Sequence, residues 1–444
     1  MSLLKRWILI SILSVVFIVS GTVLILFALG NKVNLKTFTI ERTGGIYIAS
    51  TPYDALISLD SRPVENKSGI LNSGTLVNNL RSGTYNVAVS ENGYYPWEKN
   101  IKVNPGLVSV YNSIVLVPKK GGTIINTGVP TSSLSSGVSQ IDLAGKNLLV
   151  KTSDGKLYLE GKEINGSKIV EVSGNGAVIT YSLLTDSYYL INPNKPHTPI
   201  NLSSEFDIDA AGVLSSNEQI TKISFSSINS QYFLVKTNLG LYGLDLSRHS
   251  AYLISGRMTN YTSAGNQVYW INKNGINDYN VVFRVYGEIS VLPDDKSGVA
   301  SFISTPDGDE FFVLYNDGYL FAIVPGQPPQ ALSSNALSVY ISTNGQDAFY
   351  TEPNGTIVEY PLPFGKPVTI KTGLKNISNI SWYYDNAHLF VESGSALYFT
   401  EMDNTADLPL NIVQIAPNAK SYAYDYADNI LYFTDGLLIK SLRI

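Results

Sequence analysis

Hairpin signals of one kind recur along most of this chain of 444 residues. The segment Val313–Ile323 reads VLYNDGYLFAI, with an Asp-Gly pair between two runs of apolar and aromatic residues. Glycine accepts the positive φ that a two-residue turn demands, so the segment predicts a tight β-hairpin. Turns of this kind are predicted at Asp154-Gly155, Leu184–Ser187, Asn238–Gly240, Asn274-Gly275, Asp317-Gly318, Asn354-Gly355, Ser393-Gly394 and Asp435-Gly436.

The hairpins return with a mean period of about 40 residues, and a second turn often precedes each of them by about ten residues. Units of this length with four short strands are typical of the blades of a β-propeller. A single four-stranded sheet cannot bury its own faces, so neighbouring units have to stack around an axis. The repeat therefore predicts an all-β propeller over residues 120–444.

The number of hairpins predicts eight blades. Seven blades is the alternative, because the stretch 257–296 is irregular. The last unit ends without an outer strand, and the segment Gly121–Gly128 could supply that strand and close the ring. The predicted hairpins cover residues 148–160, 178–192, 232–245, 267–282, 310–323, 347–360, 388–400 and 430–443.

One turn carries a more specific resemblance. Ser304–Gly308 reads STPDG and resembles the Ser-Pro-Asp-Gly turn of the WD-like propeller repeats found in periplasmic proteins. Ser342–Gly345, STNG, matches it in part. The resemblance implies a WD-like propeller.

The first thirty residues differ from the rest of the chain. Lys5 and Arg6 precede Trp7–Leu29, which contains no charged residue. At about 1.5 Å per residue, a helix of this length crosses a bilayer core of about 30 Å and satisfies the backbone polar groups that lipid cannot. We predict a cytoplasmic stub and transmembrane signal anchor in residues 1–30 and a linker in residues 31–41.

Two alternatives for the apolar segment are a signal peptide cleaved near Ala28–Gly30 and a buried core helix of a soluble protein. The segment exceeds the ~7–15 apolar residues of a usual signal peptide. Lys and Arg flank it on both sides, so their balance does little to orient it. The short N-terminal tail favours a single-pass protein whose bulk is extracytoplasmic.

Residues 42–119 predict a small β domain. Tyr85, Val87 and Val89 alternate with polar or small residues, and Asn92-Gly93 predicts the next turn. About five short strands with regular turns imply a small antiparallel β-sandwich.

The same segment resembles the PEGA domain. Pro52–Ala55, PYDA, replaces the signature Pro-Glu-Gly-Ala, and Asn72–Thr75 replaces the Thr-Pro found in the middle of the domain. The resemblance implies an extracytoplasmic, surface-linked binding or spacer module, and it brings no catalytic residues. The matching residues are Gly45, Ser50, Pro52, Ala55, Ile57, Leu59, Asp60, Leu80, Gly83, Tyr85, Val87, Val89, Gly93 and Tyr94.

Composition excludes several classes of function. The net charge is −5, and no block of Lys and Arg offers a nucleic-acid surface. The chain contains no cysteine, which excludes disulfides, thiolate metal sites and cysteine nucleophiles. G-x-S-x-G, phosphate-loop and dinucleotide motifs are absent from the sequence, so no enzyme activity is predicted.

Four aromatic residues are candidates for ligand contact, because aromatic rings stack on sugars and on proline-rich peptides. Packing in the core is the alternative for each, since propeller strands use aromatic residues for that purpose. The four are Trp97, Trp270, Trp382 and Tyr383.

The connection between the second and third hairpins, Asn201–Gln219, is longer than the average connection and is acidic. Its residues Glu205, Asp207 and Asp209 offer oxygen ligands at alternate positions, which could hold Ca²⁺. A solvated loop is the alternative, because the segment lacks a glycine-centred loop and a distal carboxylate. No other cofactor is predicted.

Three histidines, His197, His249 and His388, are scattered along the chain. A metal site built on them would need the fold to bring distant blades together. Each is therefore predicted to be a loop or surface residue.

Together these features predict a membrane-anchored extracytoplasmic binding or scaffolding protein of the cell envelope, which recognises a glycan or another protein through a propeller face. The alternative is a propeller-based hydrolase acting on envelope glycans. Such an enzyme needs two carboxylates about 5–10 Å apart in one pocket. A third alternative is a structural spacer.

Overall fold

The computed structural model describes residues 3–28, 31–34, 39–69, 73–212, 214–215, 217–256, 258–273, 275–292, 297–342, 345–363, 365–402 and 410–444. The chain forms two compact units. The first contains residues 1–120 with 405–413 and 444, and the second contains residues 121–404 and 414–443. Several residues of the predictions above lie outside the described ranges: Leu29, Gly30, residues 35–38, Asn72, Val213, Ser216, Arg257, Asn274, residues 293–296, Thr343 and Asn344.

The N-terminal apolar segment forms one long helix, α1, Leu3–Ala28. Within it, Trp7–Ile25 has a mean hydropathy of 2.8 and none of it is buried in the protein. The helix is long and apolar enough to span a membrane. After it, β1, Asn31–Asn34, pairs antiparallel with β2, Thr39–Arg42, so the predicted linker contains a two-stranded sheet.

The small β domain contains seven strands in two sheets rather than about five in a purely antiparallel sandwich. One sheet has the order β6-β3-β9 and the other has the order β5-β4-β7-β8. Strands β3 and β9 pair in parallel, which local turn signals could not predict because the two are far apart in sequence. The strands are β3 Gly44–Thr51, β4 Leu56–Leu59, β5 Arg62–Val64, β6 Thr75–Leu80, β7 Gly83–Ser90, β8 Trp97–Val103 and β9 Val108–Val115.

Alternating residues of these strands form the core of the small domain. Along β8, every second residue from Trp97 to Val103 is buried. The core residues come from both sheets, as expected of a sandwich. They are Ile46, Ile48, Ala55, Ile57, Val87, Val89, Trp97, Ile101, Val103, Ile114 and Leu116.

The rest of the chain forms eight four-stranded sheets, which resemble the blades of a propeller. Sheets 1 to 7 are formed by consecutive strands, from β11–β14 to β35–β38. The strands of sheets 1 to 4 are β11 Val138–Ala144, β12 Asn147–Thr152, β13 Leu157–Leu159, β14 Lys162–Ile164, β15 Lys168–Val172, β16 Val178–Ser182, β17 Ser187–Asn192, β18 Lys195–Asn201, β19 Ile220–Phe225, β20 Tyr232–Thr237, β21 Leu241–Asp245, β22 Ser250–Ser255, β23 Tyr261–Ala264, β24 Gln267–Asn272, β25 Gly275–Asn280 and β26 Val285–Ser290.

The remaining sheets follow the same pattern, except that sheet 8 takes one strand from the start of the unit. The strands of sheets 5 to 8 are β27 Val299–Ser304, β28 Phe311–Tyr315, β29 Leu320–Ile323, β30 Gln330–Ser333, β31 Ser338–Ile341, β32 Asp347–Glu352, β33 Thr356–Pro361, β34 Val368–Lys371, β35 Ile377–Trp382, β36 His388–Ser393, β37 Ala396–Glu401, β38 Ile412–Ala416, β39 Ser421–Asp425, β40 Ile430–Thr434, β41 Ile439–Arg443 and β10 Thr123–Ile124.

The central two strands of each sheet begin and end within two residues of the predicted hairpins. The outer strand of sheet 8 also comes from the predicted segment, because Thr123 pairs with Ser441 and Ile124 with Lys440. Both predictions rest on local preferences: glycine tolerates the positive φ of turns, and β-branched residues favour strands.

The turns themselves are not all of the predicted type. Around Asp317-Gly318 the loop has three residues, because Tyr315 N donates to Tyr319 O at 2.8 Å and Gly318 N donates to Tyr315 O at 3.0 Å. Gly318 has a φ of 93°. A three-residue loop with glycine in the left-handed region is the second common hairpin connection, so the two-residue prediction was wrong here and the role of glycine was right.

Apolar side chains pack between consecutive sheets, and sheet 8 packs against sheet 1. The last contact joins Ile439 with Val138, Ile141, Val150 and Tyr158. Sheets 6 and 7 meet where the rings of Phe349 and Trp382 have centroids 4.4 Å apart. Such packing buries faces that no sheet could bury alone.

Among the described residues of the second unit, three short helical elements interrupt the strands. These are α2, Thr131–Leu134, α3, Leu202–Asp209, and a 3₁₀ turn over Pro353–Gly355. Helix α3 lies in the connection that was predicted as a solvated acidic loop.

Candidate functional site

A pocket of about 520 Å³ opens at one edge of sheet 3, where β20 turns into β21 and β19 begins. Most of the residues that line it are polar residues or glycines, and two of them are lysines. The lining residues are Thr221, Lys222, Lys236, Thr237, Asn238, Leu239, Gly240, Gly256 and Met258.

The two lysines of this pocket form a like-charged cross-strand pair. Lys222 on β19 lies directly opposite Lys236 on β20 in the antiparallel register. Residues directly opposite in such a pair share one face of the sheet, and like charges there are destabilising. Within the described ranges, neither ammonium lies within 4.0 Å of a carboxylate oxygen.

Other contacts hold the two side chains at the pocket. Lys236 Nζ donates to the carbonyl oxygen of Thr259 at 2.9 Å, and Lys222 Nζ lies 5.9 Å from the centroid of the Tyr261 ring. Burial, and then the charge of Lys222, hold the pKa of Lys236 below its usual range. The pair therefore places two positive charges at the pocket, and the charge of Lys222 also lowers the pKa of the Glu171 carboxyl against the larger effect of burial.

A second pocket, of about 470 Å³, contains three carboxyl groups from sheets 4 and 5, those of Asp278, Asp307 and Asp309. Burial raises the pKa of Asp278. A hydrogen bond from the Thr305 side chain lowers the pKa of Asp307. Carboxyl groups whose pKa values are pushed apart in one pocket are the arrangement that acid–base chemistry requires.

The backbone of sheet 4 leaves room for the Asp278 carboxyl. Asp278 lies opposite Gly287 in the β25–β26 register. A Cβ at Gly287 would lie 2.2 Å from Asp278 Oδ1, so a larger residue there would force this carboxyl to move.

A third pocket, of about 590 Å³, is lined by residues of sheets 1, 2, 7 and 8. Among them, burial raises the pKa of Asp142, and Lys146 Nζ forms an ion pair with Asp428 Oδ2 at 3.0 Å. Residues close to both ends of the second unit therefore share one cavity.

The four aromatic candidates are all buried. Their exposed fractions are 3 % for Trp97, 5 % for Trp270, 5 % for Trp382 and 0 % for Tyr383. Each packs against further rings; Trp97, for example, meets Tyr111 edge-on at 5.8 Å. A ring with this little exposure offers no face to a ligand in this conformation, so we assign all four to packing.

The three acidic candidates lie on helix α3 but face different sides of it. Glu205 and Asp209 are one turn apart on α3, and their carboxylate oxygens gather with a ring nitrogen of His249 within 4.8 Å of one another. Asp207 is exposed and is not a member of this cluster.

One of the three histidines differs from the prediction that each lies in a loop or on the surface. His249 and His197 are exposed, but His388 begins β36, is 3 % exposed and lies 2.8 Å, Nδ1 to Oδ2, from Asp385. His388 also stacks on Phe399 with centroids 4.9 Å apart. The fold therefore uses this histidine in the core.

The lysine pair was missed by sequence reasoning. Lys222 and Lys236 are single charges in the strand segments ITKISF and YFLVKT, and nothing in either segment alone distinguishes them from solvated residues. The pair could have been found from sequence only by aligning the two segments as neighbouring antiparallel strands, which places the two lysines opposite each other.

Comparison with known proteins identifies the small domain. Residues 43–116 match the family model of the PEGA domain. No curated protein matches the chain.

Solved structures that resemble the chain are similar only at low identity. One is the crystal structure of the mitotic checkpoint complex, with 12 % identity, a TM-score of 0.43, and coverage of 73 % of this chain and 89 % of that one. Another is Hsv2 of Kluyveromyces lactis, with 10 % identity, a TM-score of 0.41, and coverage of 63 % and 98 %. A variant of Hsv2 with loop 6CD replaced by a Gly-Ser linker has 12 % identity and a TM-score of 0.43, with coverage of 63 % of this chain and 98 % of that one.

Proposed function

We propose that this chain, whose residues 43–116 form a PEGA domain, is a membrane-anchored extracytoplasmic protein that binds an anionic envelope glycan through one face of a propeller. The observation that carries the proposal is the Lys222–Lys236 pair in the pocket of sheet 3. A scaffolding role is included, because a bound envelope polymer would be fixed to the membrane through the same chain.

The architecture in this proposal is a closed ring of eight blades. It is supported by the pairing of β10 with β41, by the packing of Ile439 against sheet 1, and by the pocket that sheets 1, 2, 7 and 8 share. Averaged electron-microscope images of the purified protein should show a ring with eight lobes. An open arc, or seven lobes, would reject this part of the proposal.

The anchor is the helix α1, which leaves the PEGA domain and the propeller on the extracytoplasmic side. Its uncharged window, Trp7–Ile25, supports this arrangement, and so does the usual extracytoplasmic setting of PEGA domains. Protease added outside intact spheroplasts should digest the residues beyond 43. Complete protection of that region would contradict the topology.

An anion is the expected ligand because the lysine pair is unfavourable without one. Burial lowers the pKa of Lys236, and the charge of Lys222, which lies opposite on the same face of the sheet, lowers it further. A carboxylate or phosphate of a glycan between them would remove the repulsion and form charge-assisted hydrogen bonds.

The test is binding of the full chain in detergent micelles to polygalacturonate, with dextran as the neutral comparison. Lys222→Met and Lys236→Met should each weaken binding at least about tenfold, the loss expected for one charge-assisted hydrogen bond. Binding should also fall as NaCl is raised, because the site is open to solvent.

The matched control is Lys168→Met, which removes an exposed lysine from β15 and should leave binding unchanged. Lys222→Met should also leave the unfolding temperature equal or raised, since it relieves the repulsion. Equal binding by all three variants, or equal binding of dextran, would refute the proposed function.

A second candidate function, hydrolysis of envelope glycans, is supported by the pocket of sheets 4 and 5. There the raised pKa of Asp278 suits a general acid, and the lowered pKa of Asp307 suits a carboxylate base or nucleophile. Any hydrolysis of p-nitrophenyl glycosides should be abolished by Asp278→Asn and retained in Asp317→Asn, which alters an exposed turn. Failure to cleave any glycoside of a broad panel would remove this candidate.

A further inference from the structure

Helix α3 is fixed by its apolar side. Leu202, Phe206 and Ala210 pack into the cluster between sheets 2 and 3, and Phe206 meets the ring of Tyr242 edge-on at 5.3 Å. At its start, Asn201 caps the helix by accepting a hydrogen bond from the backbone of the first turn at 3.1 Å. The orientation of the other side of the helix is therefore set by the fold.

That other side carries Glu205 and Asp209. Residues four apart on a helix are neighbours on its surface. Asp207, between them in sequence, lies on a different side and is exposed.

His249 reaches the same place from the turn between β21 and β22. Asp245 organises this turn, since its Oδ1 accepts hydrogen bonds from the backbone nitrogens of Ser247 at 3.0 Å and Arg248 at 3.2 Å. His249 follows with a φ of 47°. One ligand atom from each of Glu205, Asp209 and His249 lies within 4.8 Å of the other two.

Without a cation, the carboxylates of this cluster are placed unfavourably in three ways. Like charges four residues apart destabilise a helix, and Asp209 stands in the last turn, where the helix dipole disfavours a negative charge. In addition, Asp209 Oδ2 is buried and has no hydrogen-bond partner among the described residues. A buried oxygen of this kind costs free energy that a bound cation would recover.

We propose that Glu205, Asp209 and His249 form a site for a divalent transition-metal ion, for which Zn²⁺ is the representative. Zn²⁺ accepts imidazole nitrogen and carboxylate oxygen together, and three protein ligands leave a position for water or for a group of another molecule. Ca²⁺ prefers six to eight oxygen ligands, so the imidazole argues against Ca²⁺, the ion considered for this segment from sequence. The bound ion would join α3 to the turn before β22.

The experiment is calorimetric titration of Zn²⁺ into the full chain, purified in detergent without a histidine tag and freed of metal. One equivalent of Zn²⁺ should bind and raise the unfolding temperature. Glu205→Gln and His249→Gln should each weaken Zn²⁺ binding at least about tenfold and reduce the rise in unfolding temperature at the same Zn²⁺ concentration, because each removes one of three ligands. Circular dichroism confirms that each variant folds.

The matched control is Asp207→Asn, which removes the same charge as a ligand variant from the same helix and should bind Zn²⁺ as the unaltered chain does. Four outcomes would overturn the proposal: no Zn²⁺ binding by the unaltered chain, equal binding by all variants, loss in Asp207→Asn equal to that in Glu205→Gln, or tighter binding of Ca²⁺ than of Zn²⁺. The third would indicate general attraction of cations to an acidic helix.

Discussion

Replacing Gly355 by alanine is expected to destabilise the second unit strongly, although the change adds only one methyl group. Gly355 has a φ of 73°, and a Cβ on it would lie 1.7 Å from the carbonyl oxygen of Leu374. The backbone cost of alanine in the left-handed region is about 1–2 kcal/mol, and overpacking adds about 1–3 kcal/mol. A decrease in unfolding temperature of roughly 5–10 °C follows for a domain of this size.

The overlap cannot be relieved by a side-chain rotation, because the clashing atoms belong to the backbone. The segment around Leu374 is held against the turn, since Thr372 Oγ1 donates to the Gly355 carbonyl oxygen at 2.7 Å. Moving the segment away would break this hydrogen bond. The cost is therefore expected to appear as lost stability and not as a small local adjustment.

Gly373→Ala is the matched control. Gly373 has a φ of 69°, close to that of Gly355, but a Cβ there would meet no atom within 4 Å. Gly373→Ala should therefore lower the free energy of unfolding only by the backbone cost of alanine at positive φ, about 1–2 kcal/mol. Thermal unfolding followed by near-ultraviolet circular dichroism measures both variants, and equal losses would contradict the overlap at Leu374.

Replacing Glu310 by glutamine is expected to change the pH dependence of stability. Glu310 is 2 % exposed, and Tyr360 Oη donates to its Oε1 at 3.0 Å. Its Oε2 is buried without a hydrogen-bond partner in the described part of the chain. Burial raises the pKa of this carboxyl, with a smaller contribution from the charge of Asp307.

The sign of the effect follows from the raised pKa. The folded chain binds the proton more tightly than the unfolded chain, so the stability from this site is complete below the ordinary pKa of glutamate and is lost as pH rises through the raised value. The free energy of unfolding of Glu310→Gln should therefore increase relative to that of the unaltered chain as pH rises from 4 to 8. The gain is about 1–3 kcal/mol, the cost of a buried polar group left unsatisfied.

The measurement is the difference in unfolding temperature between variant and unaltered chain at several pH values. Glu288→Gln, at an exposed position on β26, should show no such trend. A difference for Glu310→Gln that stays constant between pH 4 and pH 8 would mean that the carboxyl titrates as it does in the unfolded chain.

The repeated hairpins could be predicted from sequence because their determinants are local. Glycine or asparagine at a turn, as at Asn354-Gly355, tolerates the positive φ that the turn requires, and the flanking apolar runs indicate the strands. The parallel pairing of β3 with β9 could not be predicted, because it joins segments about sixty residues apart and no turn reports it. Helix α3 was also missed, since its eight residues include only three buried ones and show little helical periodicity.

The candidate sites depended more on the fold than on local pattern. Glu205 and Asp209 were singled out by their sequence, but His249 could join them only through the return of β22 to the side of α3. Lys222 and Lys236 became a pair only through the register of β19 with β20. The aromatic candidates failed for the opposite reason, because Trp270 and Trp382 fill core positions that any propeller strand must supply.

The pairing of β10 with β41 has a consequence for how this protein is made. Thr123 leaves the ribosome more than three hundred residues before Ser441, its partner in the sheet. During synthesis, the nascent second unit therefore carries an unpaired strand at its beginning, and sheet 8 cannot be completed until β41 has emerged. The strand Thr123–Ile124 is therefore the part of the second unit that waits longest for its partner.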